Sequence, residues 1–169
     1  MARISYITPE FAVAPQLTHE DFGALGAMGF RAIISNRPDN EDGLTLPATQ
    51  AASLARQTGL VFHHVPARMD EVLDDAIVDA FAEALGKVRG PVVAYCKSGT
   101  RAAILWALAS VRAKPVECVL KALLDAGYDL GFLKEDLEAQ AARHIGRSED
   151  IEALLALDCV DDRQLGVAA

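Results

Sequence analysis

The chain has 169 residues, 51% of them apolar, and a formal net charge of −8, enough for one globular domain whose core needs no disulfide support. Such an acidic balance argues against a nucleic-acid binder, which needs a basic face, yet it leaves room for a small anionic ligand in a locally positive pocket. The longest apolar stretch, residues 102–111, is broken by Ser110 and too short to cross a bilayer; residues 1–6 lack a signal-peptide core, and the three cysteines, at 96, 118 and 159, have no zinc-ligand or disulfide-scaffold spacing, so reduced thiols in a cytoplasmic protein are expected.

Two short strands, residues 4–7 and 11–14, flank a turn at Thr8-Pro9-Glu10. Thr18 with Asp21 three residues on has the form of a capping box, and the helix it starts runs to Met28 before Gly29 stops it. Residues 32–35 form a strand and residues 36–43 a polar loop. Pro47 opens a helix at its first turn and Gly59 closes it. A strand over 60–65 ends at Pro66, and a loop over 67–73 leads to a helix over 74–88 with Ile77, Phe81 and Leu85 on one face. Gly90-Pro91 turns into the strand 92–95, followed by a short polar loop and a helix to Arg112. Pro115 begins a helix to Ala126, stopped by Gly127, and residues 132–144 and 148–157 complete the helices. Strands separated by helices predict an α/β fold with a central, mainly parallel sheet flanked by helices. One domain is expected over 1–160, with a flexible tail expected over 161–169. In such sheets the loops after the strands form the ligand crevice, which brings the loops 36–43, 67–73 and the one after Tyr95 to one edge.

The last of these loops carries the chemistry. A β-branched run delivers Cys96 to the carboxyl end of a strand, and Lys97-Ser98-Gly99-Thr100-Arg101 then leads into a helix. That order sets a thiol over a helix N-terminus, ringed by backbone N–H groups, an arrangement that favours a thiolate and an oxyanion. Gly99 permits the backbone curl, Arg101 offers a planar fork to two oxygens of a tetrahedral anion, and Ser98 and Thr100 offer hydroxyls. Lys97 contributes its amide, its side chain being a solvated charge. The bland alternative is a small buried hydrophobe at a strand end; Cys118 and Cys159 have no comparable surroundings and read as core or surface thiols. Asp70, on a loop after a strand, is the candidate general acid. It is otherwise an exposed loop aspartate, and Glu71, Asp74 and Asp75 compete for the role. Arg37 lends the pocket a second positive charge or forms an ion pair. His63 and His64 alternate along a strand, so one faces in and one out. Together with Cys96 they lack a metal-ligand spacing, and no metal or cofactor is expected.

The segments Ile7-Thr8-Pro9, 13–18, 29–39 (which contains Asn36-Arg37-Pro38-Asp39) and 95–101 together resemble a bacterial family, the phosphatase-like domain of beta-lactamase hydrolase-like proteins, also labelled as sulfurtransferases. The resemblance covers roughly residues 3–140. It implies a three-layer fold of the protein tyrosine phosphatase type, similar to dual-specificity phosphatases. Some relatives are fused to a metallo-beta-lactamase-type domain of persulfide metabolism, which is not found in these residues. The chain departs from tyrosine phosphatases at three places. Tyr95 stands where they have histidine, four residues rather than five separate Cys96 from Arg101, and Ala102 stands where a hydroxyl assists departure of the thiol. The shorter loop is similar in length to that of rhodanese sulfurtransferases.

Three functions are therefore open. In the first, a cysteine-dependent phosphatase-like hydrolase, the Cys96 thiolate attacks a phosphate ester, the 96–101 loop and Arg37 hold its oxygens and Asp70 protonates the leaving group. In the second, a sulfurtransferase, Cys96 takes a sulfane sulfur from a donor and carries it as a persulfide. The third is a non-catalytic module that binds an oxyanion or a phosphopeptide. The oligomeric state is not legible.

Overall fold

The computed structural model describes residues 1–145. The expected helix over 148–157, Cys159 and the tail 161–169 lie outside the described residues. Five short strands, β1 (Ser5–Thr8), β2 (Phe11–Ala14), β3 (Ala32–Ser35), β4 (Val61–His64) and β5 (Val92–Tyr95), form one sheet in the order β1-β2-β5-β3-β4. β1 pairs antiparallel with β2, with an irregularity between Tyr6 and Thr8, and every other pairing is parallel. β5 lies at the centre of the order, between β2 and β3.

The central strands are nearly all apolar because both faces are covered. Their side chains divide by the period of two that a pleated strand imposes. Phe11, Val13, Ala32, Ile34, Val92 and Ala94 join one core, and Ala12, Ala14, Ile33, Val93 and Tyr95 join the other. The second core is closed by α1 (His19–Ala27) and α2 (Ala48–Gln57). The first is closed by α3 (Asp75–Gly86), α4 (Thr100–Ser110), α5 (Val116–Asp125) and α6 (Lys134–Ile145). Sheet and two helical layers make the three-layer architecture.

Every residue of α4 from Arg101 to Leu108 is buried. A helix apolar all round can only sit inside other elements, and α4 packs against α3, α5, α6 and the sheet. Trp106 stacks on Phe11 with ring centroids 5.7 Å apart, and Phe81 meets the edge of the same Phe11 at 6.2 Å. The helix that opens on the cysteine loop is thus enclosed by other elements on every side.

Helix starts follow the local chemistry of the sequence. Thr18 and Asp21 form the expected capping box, with Asp21 Oδ2 accepting from the Thr18 amide at 2.8 Å. Burial works against the Asp21 charge, but the amides of Thr18 and Ala2 hold its carboxyl below the ordinary aspartate range. Gly29 follows the C-cap with φ +90, where a side chain would be strained. Pro47 differs from expectation. It is the N-cap of α2, in extended geometry, rather than part of its first turn, and the Ala48 amide donates to Asp39 Oδ1 at 2.8 Å instead. Pro115 is likewise the N-cap of α5, and a 3₁₀ turn, Gly131–Leu133, precedes α6 where a single helix is expected. Cys118, on α5, is not among the free thiols, contrary to the expectation of three reduced cysteines.

Candidate active site

The loops after β3, β4 and β5 meet, as a parallel sheet dictates, and backbone hydrogen bonds lock them together. The Asn36 amide donates to the Tyr95 carbonyl at 2.8 Å, the Asn36 side-chain amide to the Val65 carbonyl at 2.8 Å, and the Ala67 amide to the Asn36 carbonyl at 3.2 Å. Asn36 is fully buried and so couples all three strand ends. From the other side, the Cys96 amide reaches the Ala14 carbonyl and the Gln16 amide the Lys97 carbonyl, each at 3.4 Å.

Cys96 is a free thiol, 1% exposed. The Gly99 amide donates to its Sγ at 3.1 Å, closing the curl between strand and helix. Gly99 is the N-cap of α4 with φ +95, a conformation that costs a residue with a Cβ about 1–2 kcal/mol. A Cβ at this position would also overlap the Tyr128 hydroxyl oxygen. Ser98 and Thr100 hydroxyls lie 3.1 Å apart and share a hydrogen bond. The loop therefore has the build that the spacing predicts: a sulfur at a strand end, an amide turned to it, and a helix start behind.

Arg101 is buried and occupied. Its Nη1 donates to the Ala67 carbonyl at 2.7 Å, and its Nη2 to both oxygens of Glu41 at 2.8 and 2.9 Å. Glu41 also accepts from Arg37 Nε at 2.8 Å. Partial burial opposes the charge of Glu41, but hydrogen bonds and charge from Arg101, then Arg37, hold its carboxyl below the usual glutamate range. Arg37, expected to contribute to an oxyanion, does not reach the cavity wall. Its remaining donors go to Gln16 Oε1 at 2.9 Å and the Asp42 carbonyl at 3.0 Å. At 2% exposure it needs a fixed anion, and Glu41 four residues on supplies one.

A cavity of about 310 Å³ lies between these loops, lined by Pro38, Glu41, Arg68, Met69, Asp70, Lys97, Ser98 and Arg101. Of the four acids on the 67–75 segment considered as proton donors, only Asp70 lines it. Glu71 accepts from the Arg68 amide at 3.3 Å, Asp74 caps α3 through the Ala76 amide at 2.9 Å, and Asp75 pairs with Arg143 at 3.2 Å. His63 and His64 stand apart from the cavity. His63 Nε2 is buried without a partner, and burial, then the Lys87 charge, pushes that imidazole's pKa down. His64 is exposed and donates from Nε2 to the Arg37 carbonyl at 2.8 Å. Tyr95, in place of a histidine, packs into the core on the α1–α2 side; burial pushes its phenol up, opposed by a hydrogen bond with Ser35.

Reasoning from sequence missed Glu41, Gln16 and Tyr128. The Arg37–Glu41 spacing of four was a usable signal; nothing local marks Tyr128, which comes from the turn after α5.

The profile of the family described as beta-lactamase hydrolase-like protein, phosphatase-like domain, matches residues 3–113. The chain belongs to this family. A beta-lactamase hydrolase-like protein of Xylella fastidiosa (strain 9a5c) is 36% identical over 143 residues, 82% of this chain and 32% of that protein, so the chain spans about a third of the length of that curated relative. Among solved structures, a candidate phosphatase of Neisseria meningitidis z2491 matches with a TM-score of 0.70 and 29% identity, over 81% of this chain and 97% of the other. Kinase associated phosphatase, with its catalytic-site cysteine substituted by serine, matches with a TM-score of 0.66 and 16% identity, over 85% and 97%. The fold of this phosphatase-like domain is thus that of the tyrosine and dual-specificity phosphatases. Among its described residues no helix is long and apolar enough to cross a membrane.

The Glu41 contacts give a testable stability term in this phosphatase-like domain. Glu41→Gln keeps the shape but leaves the Arg37 and Arg101 guanidinium groups without their anion. The expected loss is about 2 kcal/mol by urea unfolding near neutral pH, below the usual range for breaking a buried pair because Glu41 is 26% exposed. Its folded pKa is depressed, so the unfolded chain binds more protons between the two values. The wild-type advantage is full above the ordinary glutamate pKa and disappears as pH falls through the folded one. The unfolding curves of the two proteins should converge in acid.

Proposed function

We propose that this domain is a cysteine-dependent phosphatase with Cys96 as its nucleophile. The observation that carries the reading is the Gly99 amide at 3.1 Å from Cys96 Sγ, with the two residues after the cysteine, Lys97 and Ser98, on the wall of a cavity that Arg101 and Asp70 also line. An amide donor and a helix N-terminus stabilise negative charge on sulfur and on the oxygens that follow it. The Cys96 thiolate attacks phosphorus as the P–O bond to the leaving group breaks. The loop amides and the N–H groups of Arg101 not given to Ala67 and Glu41 hold the other phosphoryl oxygens. The departing oxygen takes its proton from the Asp70 carboxyl. Water then attacks phosphorus, Asp70 recovers the proton, and the S–P bond breaks to restore the thiolate and release phosphate. Arg37 acts one step back, by fixing Glu41, which in turn orients Arg101.

The test is incubation of the protein with an aryl phosphate and, separately, with thiosulfate followed by cyanide. The phosphatase reading expects phosphate release and no sulfur on Cys96. Gain of one sulfur atom by mass, with thiocyanate formed, would replace it by sulfur transfer. Neither activity, with the anion nonetheless bound, would mark a binding module. Asp70→Asn refines the test. The variant should lose roughly 10²–10³-fold in turnover of an alkyl phosphate, whose leaving group needs a proton, and much less on a nitrophenyl phosphate, whose leaving group does not.

A further inference from the structure

The cavity wall is cationic on an acidic protein. Arg68, Lys97 and Arg101 face two carboxylates, Glu41 and Asp70. Glu41 is already paired with Arg101 and with Arg37 behind it, which leaves Asp70 as the other carboxylate of the wall. Arg68 and Lys97 remain. Both are exposed and neither makes an ion pair among the described residues. Glu71, three residues on, takes the backbone amide of Arg68 and not its guanidinium. Cations left open at a cavity mouth raise the local concentration of an anion and favour one with charge at matching positions.

The reacting phosphoryl group is held by the loop amides and Arg101. An ester of a neutral alcohol would leave Arg68 and Lys97 facing only water. We infer, on the basis of the phosphatase reading above, that the substrate is a small phosphate ester carrying a second phosphate, which Arg68 and Lys97 grip while Cys96 attacks the first. The two cations come from different loops, one after β4 and one after β5, so a second phosphate bridging them lies across the cavity mouth. The volume, about 310 Å³, falls at the low end of the roughly 300–1,000 Å³ typical of small-molecule sites and suits a phosphorylated sugar or polyol better than a folded phosphoprotein segment.

The experiment compares kcat/KM for glucose 1,6-bisphosphate with the values for glucose 1-phosphate and glucose 6-phosphate, with an aryl phosphate in parallel. The bisphosphate should be preferred over both monophosphates by roughly tenfold or more, the scale of a pair of charge-assisted contacts. In the Arg68→Gln/Lys97→Gln double variant the ratio should fall towards one, and added salt should erode it in the wild type. Aryl phosphate turnover with a ratio near one, or a ratio unmoved in the double variant, overturns the inference and leaves the phosphatase reading standing. If no phosphate is released from any of the four, the phosphatase reading fails. Calorimetry of the same sugars on Cys96→Ser then decides the charge recognition alone: tighter bisphosphate binding that is lost with Arg68 and Lys97 supports it, and equal binding overturns it.

Discussion

Cys96→Ser is expected to lower phosphate release by at least about 10⁴-fold, the scale seen when an enzyme loses its nucleophile, while the protein still binds inorganic phosphate or vanadate. The substitution keeps an atom of similar reach at the strand end and keeps every amide of the loop. A hydroxyl in the same place is a far weaker nucleophile than a thiolate, and among the described residues no free base lines the cavity to activate it: Asp70 is assigned to the leaving group, Glu41 is tied to Arg37 and Arg101, and His63 and His64 are not in the wall. Phosphate release measured on purified protein, beside a calorimetric titration with the anion, separates the two effects. Activity retained by the serine variant would remove Cys96 from the chemistry, whatever its position.

Gly99→Ala is expected to cost both stability and function. Its φ of +95 imposes backbone strain of about 1–2 kcal/mol on alanine, and the new Cβ would overlap the Tyr128 hydroxyl and lie 3.4 Å from the Ala14 carbonyl oxygen. Relief requires the loop or the tyrosine to move. A displacement of the Gly99 amide from Sγ by even an ångström should cost roughly 10²-fold in turnover. Gly29→Ala is the control. It has a similar φ, +90, and nothing within 4 Å of the added carbon, so it should lose comparable stability and keep full activity. Adding Tyr128→Phe to Gly99→Ala removes the overlapping oxygen and should restore part of the activity but not the backbone cost. Full activity in the single Gly99→Ala variant would show that the curl of this loop is not what the chemistry needs. Tyr128 itself reports on the site: burial pushes its phenol up, a hydrogen bond with Ser5 opposes this, and negative charge at Cys96 adds to the rise.

Elements were legible where one local rule settled them. The run Val92-Val93-Ala94-Tyr95 became β5 with the predicted ends, the Thr18–Asp21 box started α1, and Gly29, Gly59 and Gly127 followed their helices with positive φ. The prolines misled by one position. Pro47 and Pro115 are compatible with either an N-cap or a first turn by their φ alone, and the choice was made by partners such as Asp39, distant in sequence. The site divides in the same way. The loop from Cys96 to Arg101 is contiguous, so its curl is written in its own residues. The role of Arg37 is not, because a buried guanidinium goes where a carboxylate is held for it, and Glu41, Gln16 and the Asp42 carbonyl were already there.

From the order of residues alone came the thiol at a strand end and the glycine that lets the chain turn beneath it, because each depends on neighbours within a few bonds; the family was legible too, from segments spread along the chain. Folding decided which acid and which arginine line the cavity and which aromatic closes on Gly99. Those outcomes depend on how three loops from separate strands converge, and on the requirement that each buried charge find its partner across that space.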